Sequence, residues 1–107
     1  MRFAAIDVET ANADLSSICQ VGIAFFQNGV HTSSWSSLVD PEDEFDDFNV
    51  SIHGIDEQMV KGAPKWPTVA AKLRSLLAGT VAACHTPFDR AATSLACDKY
   101  QLEQFDC

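Results

Sequence analysis

The segment Ile18 to Val39, ICQVGIAFFQNGVHTSSWSSLV, constrains the fold more than any other stretch. Two strand-forming runs meet at Asn28-Gly29, the preferred two-residue hairpin turn because both positions tolerate positive φ. The segment therefore reads as an antiparallel pair over 18–27 and 30–39. The first run is strongly apolar. The second alternates with polar residues, which suits an edge strand or one wet face.

Residues 2–9, RFAAIDVE, read as a further strand. Side chains alternate across a strand, so Asp7 and Glu9 share one face while Ile6 and Val8 share the other. After the hairpin come six acids in eight residues: Asp40, Glu42, Asp43, Glu44, Asp46 and Asp47. Residues 40–50 read as a solvated acidic loop. Their spacing lacks the alternation and central glycine of a calcium loop. Residues 51–54 (SIHG) read as a turn. Asp56 is placed to cap a short helix over 57–61, which Gly62-Ala63-Pro64 would end.

Pro67 suits the first turn of the next helix. There Val69, Leu73, Leu76 and Leu77 fall on one face, and Gly79 is a stop. Residues 80–84 (TVAAC) form a short apolar strand. It follows a helix, so the expectation is a parallel partner of the first strand through a crossover. Thr86-Pro87-Phe88-Asp89 has the form of a helix start: a cap, a proline at the first position and an acid three after the cap. That helix is expected to run to about Lys99, and residues 101–107 to begin a fifth strand. The fold class is α/β, a mixed sheet of three antiparallel strands followed by parallel strands with crossover helices.

A chain of 107 residues allows one domain. No apolar run approaches the roughly 20 residues of a membrane span. The apolar stretch before Asp7 is too short for a secretory signal. The four cysteines, Cys19, Cys84, Cys97 and Cys107, have no zinc-like spacing. They read as reduced thiols in a cytoplasmic protein. The net charge of −8, with only seven Lys and Arg, argues against a general nucleic-acid-binding surface.

Three groups of residues carry potential chemistry. Asp7 and Glu9 fit either a solvated strand end or a hard cation held between two carboxylates. Asp89 suits the first turn of a helix, where acids favour the dipole. The parallel strand before it also brings that helix start beside the first strand, where ligands gather in α/β sheets. The three acids are thus expected to converge. His53 and His85 read as structural histidines, and neither has a nucleophile setting that would support a triad.

At these residues the chain resembles a known family. FAAIDVETAN is similar to the first motif, D-x-E-T, of the DEDD exonucleases, the group of the proofreading epsilon subunit of bacterial DNA polymerase III. SIHGID resembles the family's His-Gly-Ile turn. VAACHTPFDRAATSL resembles its second motif, A-H-N-x-x-F-D, with Thr86 in place of Asn. The order is right and the resemblance covers essentially the whole chain.

The resemblance implies a ribonuclease-H-like fold and two-metal hydrolysis of phosphodiester bonds at the 3′ ends of nucleic acids. It implies Asp7, Glu9 and Asp89 as three of four carboxylates for Mg²⁺ or Mn²⁺. Thr10 and Phe88 would flank the terminal nucleotide, with His53 and Gly54 lining its pocket. The third motif, H-x₄-D, lies tens of residues beyond the second in the family, and the residues after Asp89 contain no histidine. The chain is therefore read as the N-terminal portion of a histidine-subtype exonuclease domain spanning 1–107. Expected partners are a single-stranded or frayed DNA 3′ end (RNA being open), a DNA polymerase subunit, and a second copy of the chain. The alternative is an inactive exonuclease-like fragment that serves binding or assembly.

Overall fold

A computed structural model describes residues 2–105. The first strand, β1 (Arg2–Thr10), is the middle of the molecule. It pairs antiparallel with β2 (Ile18–Gln27), which pairs antiparallel with β3 (Val30–Leu38). The turn between β2 and β3 has φ of 52° at Asn28 and 82° at Gly29, the left-handed pair that Asn-Gly accepts readily. On the other side β1 pairs in parallel with β4 (Val81–Cys84), so the sheet order is β3-β2-β1-β4. The hairpin and the parallel crossover thus stand as the sequence predicts.

Two helices cover one face of this sheet: α2 (Trp66–Leu77) and α3 (Pro87–Lys99). Alternation turns Ala4, Ile6 and Val8 of β1 toward them, with Val21, Ile23 and Phe25 of β2. They pack on Val69, Ala70 and Leu73 of α2 and on Ala92, Ala96 and Cys97 of α3. Burying such side chains stabilises by about 1.5–3 kcal/mol each. The other face carries Ala5, Asp7, Gly22, Ala24, Ser34 and Ser36, small or polar residues in register across three strands. Among the described residues no helix is long and apolar enough to cross a membrane.

The structure departs from the sequence reading in four places. Within the expected acidic loop and turn lies a helix, α1 (Asp47–His53). Asp46 caps it by accepting the Phe48 N–H at 2.9 Å, and Gly54 ends it at φ 74°. The charge density of the segment concealed an ordinary helix start, an N-cap acid with another acid in the first turn. Residues 57–61, expected to be helical, instead form turns after Asp56. The Asp56 carboxylate accepts the Met59 N–H at 3.0 Å and the chain reverses at Gly62.

No fifth strand begins at 101–105, and its last two positions lie outside the described residues. Gln101 takes φ 57° and turns the chain back, with Leu102 N–H on Cys97 O at 2.8 Å. Leu102 and Phe105 then pack on the core, Phe105 edge-on to Trp66 at 6.1 Å. Finally, Cys84 is disulfide-bonded, so the reading of reduced thiols fails there. Spacing along the chain does not report proximity in space. Cys19 and Cys97 are free, buried thiols, and burial pushes Cys19 up to about 12.

Candidate functional site

The site forms where β4 ends and β1 continues. Pairing stops at Ile6 with Cys84, and the His85 N–H donates to Ile6 O at 2.8 Å. His85 therefore follows at the register position beside Asp7. Its Nδ1 stands 3.9 Å from an Asp7 carboxylate oxygen, and both side chains are exposed. Beyond Cys84 no strand residue remains to accept the Val8 N–H. The carboxylate of Asp89 takes that role, accepting it through Oδ1 at 2.9 Å.

Asp89 sits there because the start of α3 is built to hold it. Its Oδ2 accepts the Thr86 N–H at 2.9 Å and the Thr86 hydroxyl at 2.8 Å. Thr86 is the N-cap and Asp89 the third helical residue, the reciprocal arrangement expected from the sequence. Asp89 is consequently 1% exposed, a buried carboxylate with three donors. Burial alone would raise its carboxyl, but the Val8 N–H and the Thr86 donors hold it below the ordinary value.

Asp7 moves the other way. Burial raises its carboxyl, and so do a hydrogen bond to Asp89 and the Asp89 charge; His85 partly opposes them. The two acids are thus pushed in opposite directions: the donors on Asp89 favour its charged form, and the Asp89 charge beside Asp7 opposes the charged form there. Glu9 lies on the same face of β1 two residues on. Its carboxyl is also raised, by burial and by the charges of Asp7 and Asp89, against His53.

One donor atom each from Asp7, His85 and Asp89 lie within 4.8 Å of one another. An ion with ligands at about 2.0–2.6 Å spans donors up to about 5 Å apart, so the group fits one divalent cation. Glu9 stands outside this group and borders it through its charge. Two carboxylates whose charges oppose each other are the setting a divalent ion relieves, by offsetting both charges.

A bulge between Glu9 and Thr10 turns the end of β1 inward. Thr10 is buried, and α1 docks on it. His53 accepts the Ile55 N–H through Nδ1 at 3.0 Å, so its proton is on Nε2, which donates to Thr10 O at 2.8 Å. The Asn49 amide donates to Thr10 O and Asn12 O, each at 3.2 Å. Gly54 is exposed just past α1, and Phe88 is 41% exposed beside Asp89. Sequence reasoning missed the parts played by Asn49 and His85. For His85 a signal existed: its position immediately after a strand parallel to β1 sets it opposite Asp7.

A family model described as Exonuclease (RNase_T) matches residues 4–102, a span that holds every residue of this site. A solved structure of exonuclease X in complex with 5′ overhanging duplex DNA is similar, with 26% identity and a TM-score of 0.61. The match covers 66% of this chain and 42% of that one, so the chain spans less than half the length of that protein. Its mixed sheet with helices is the ribonuclease-H-like fold of exonucleases. Comparison with curated proteins gave no match.

Proposed function

The chain belongs to the RNase_T exonuclease family, whose members use divalent metals, and on that footing we propose that it serves 3′→5′ hydrolysis of nucleic acid. The observation that carries this is the convergence of Asp7 and Asp89 with His85 at the carboxyl end of β1, their donor atoms within 4.8 Å of one another, beside a third acid, Glu9. Asp7, Glu9 and Asp89 would hold Mg²⁺ or Mn²⁺, two ions in a complete site. When bound, such ions lower the pKa of the attacking water and offset charge on the phosphate and leaving oxygen.

The chain's own residues prepare the site. Asp89 stays ionised because Val8 and Thr86 satisfy its oxygens. Asp7, largely exposed beside it, keeps carboxylate oxygen open to a cation. His53 and Asn49 hold Thr10, and with it the end of the strand that carries Asp7 and Glu9. By their motif positions Thr10, His53, Gly54 and Phe88 would border the terminal nucleotide, and the exposed Phe88 ring offers a stacking face. A net charge of −8 fits a protein that meets phosphate through bound cations rather than through lysines and arginines.

The proposed substrate is a single-stranded or frayed DNA 3′ end, with RNA as the other candidate, since phosphate contacts carry no such choice. An epsilon-like role beside a DNA polymerase belongs to the same proposal. So does pairing with a second copy through the open sheet face, whose small residues Ala5, Gly22 and Ala24 leave it flat. The test is a time course with Mn²⁺ on a single-stranded oligonucleotide labelled at its 5′ end. Without the third motif's general base, which typically contributes about 10²–10⁴-fold, a ladder shortened from the 3′ end only very slowly, and lost in Asp7→Asn, is expected. Removal from the 5′ end, or unchanged cleavage by Asp7→Asn, overturns the reading.

A further inference from the structure

The side chains with donor atoms around the site do not offer their lone pairs equally. Asp89 already accepts three hydrogen bonds, one on Oδ1 and two on Oδ2. A carboxylate has about four acceptor positions, so Asp89 has roughly one left for a cation. His53 has none, because Nδ1 accepts from Ile55 and Nε2 donates to Thr10. Asp7 is largely exposed and offers the oxygens not used toward Asp89. His85 is different again. Beyond its 3.9 Å approach to Asp7, its ring has no hydrogen-bond partner among the described residues, and its side chain is open to solvent.

His85 is also well held at the backbone. Its N–H closes the last rung between β4 and β1, and Pro87 opens α3 two residues on. Only the ring torsions remain to be set, and the ring already lies within the 4.8 Å group. We propose that His85 is a direct nitrogen ligand to a cation held with Asp7 and Asp89, and that it gives the site a preference for transition metals over Mg²⁺. The proposal rests on the metal-site reading above and deepens it. Its chemical basis is donor type: Mg²⁺ takes oxygen and keeps its waters, whereas Co²⁺, Ni²⁺ and Zn²⁺ accept imidazole well.

Titration calorimetry of the 107-residue chain with Co²⁺ and with Mg²⁺ tests it, using wild type, His85→Ala, His85→Gln and Asp7→Asn. His85 is exposed, so its variants are expected to fold, and circular dichroism verifies this. The expected result is tighter binding of Co²⁺ than of Mg²⁺ by wild type. His85→Ala and His85→Gln should each lose about tenfold or more in Co²⁺ affinity, with little change for Mg²⁺. Zinc should also shift the ¹⁵N resonance of one His85 ring nitrogen in the wild type. Equal Co²⁺ affinity in wild type and the His85 variants, with binding abolished in Asp7→Asn, overturns the nitrogen ligand and leaves the carboxylate site standing. Cation binding that survives Asp7→Asn unchanged overturns both.

Discussion

The carboxylate of Asp89 accepts the backbone N–H of Val8 at 2.9 Å, across 81 residues of chain. Val8 lies between Asp7 and Glu9, so one hydrogen bond ties the start of α3 to the strand that carries both other acids. It forms because β4 ends one rung too early to serve Val8. Asp89 is therefore a structural acceptor and a member of the acid cluster at once.

Asp89→Ala should accordingly destabilise the fold as well as the site. It leaves the buried Val8 N–H without an acceptor, at about 1–3 kcal/mol, and frees the exposed Thr86 N–H to water at a smaller cost. Asp89→Asn keeps an acceptor for Val8 but turns an amide toward Thr86, so its loss should be smaller. Urea unfolding measures both. A stability of Asp89→Ala equal to wild type would show that the bond contributes nothing.

The opposed shifts of Asp7 and Asp89 set the pH dependence of the cation-free protein. Asp89 has a lowered folded pKa, so its stabilising contribution is present above its ordinary 3.8 and is lost as pH falls through the lower folded value. Asp7 has a raised folded pKa, so its contribution is present below 3.8 and is lost as pH rises through the raised value. Asn at position 7 mimics the protonated acid. Without cation, Asp7→Asn should therefore gain stability relative to wild type as pH rises above 3.8. Adding Mn²⁺ should raise the melting temperature of wild type and not of the variant. A wild type that gains on Asp7→Asn over that range would contradict the raised Asp7 carboxyl.

The geometry assigns the His53 ring proton to Nε2, because the Ile55 N–H occupies Nδ1 and Nε2 faces Thr10 O. Long-range ¹H–¹⁵N NMR reads the tautomer directly, and a ring proton found on Nδ1 rather than Nε2 would refute the geometry. Removing the other tether, in Asn49→Ala, should cost about 1 kcal/mol for the lost hydrogen bonds. Unfolding midpoints give that figure, and amide exchange at Ala11 should quicken.

The open face of the sheet offers a direct test of pairing between copies. Sedimentation across the micromolar range should show a dimer for wild type, and Ala24→Arg should dissociate it, since a charge on a self-complementary patch meets itself across a two-fold contact. A wild type that sediments as a monomer throughout would remove self-association from the proposal.

Much of the fold was legible in the residues because the signals are local. Asn28-Gly29 dictates its own turn, the period of two sorts Ile6 and Val8 from Asp7 and Glu9, and Thr86-Pro87 with Asp89 builds its own helix start. The misreadings arose where local signals competed. Between Asp40 and Asp47 charge density suggested a loop, yet Asp46 and Gly54 bound a helix. After Lys99 the apolar residues suggested a strand, but Gln101 reverses the chain onto the core.

The sequence by itself determined which residues share a face and where each element starts, because alternation and capping depend on neighbours a few residues apart. It therefore placed Asp7 with Glu9 and put Asp89 at a helix start. The tertiary structure alone decided that β4 stops opposite Ile6. That single register makes His85 the neighbour of Asp7 and leaves the Val8 N–H to Asp89. Register between distant strands is set by the packing of whole faces against α2 and α3. No local run of residues encodes it, so the sequence pointed to the convergence of Asp7 with Asp89 but not to the rung that sets His85 and Asp89 in their places beside it.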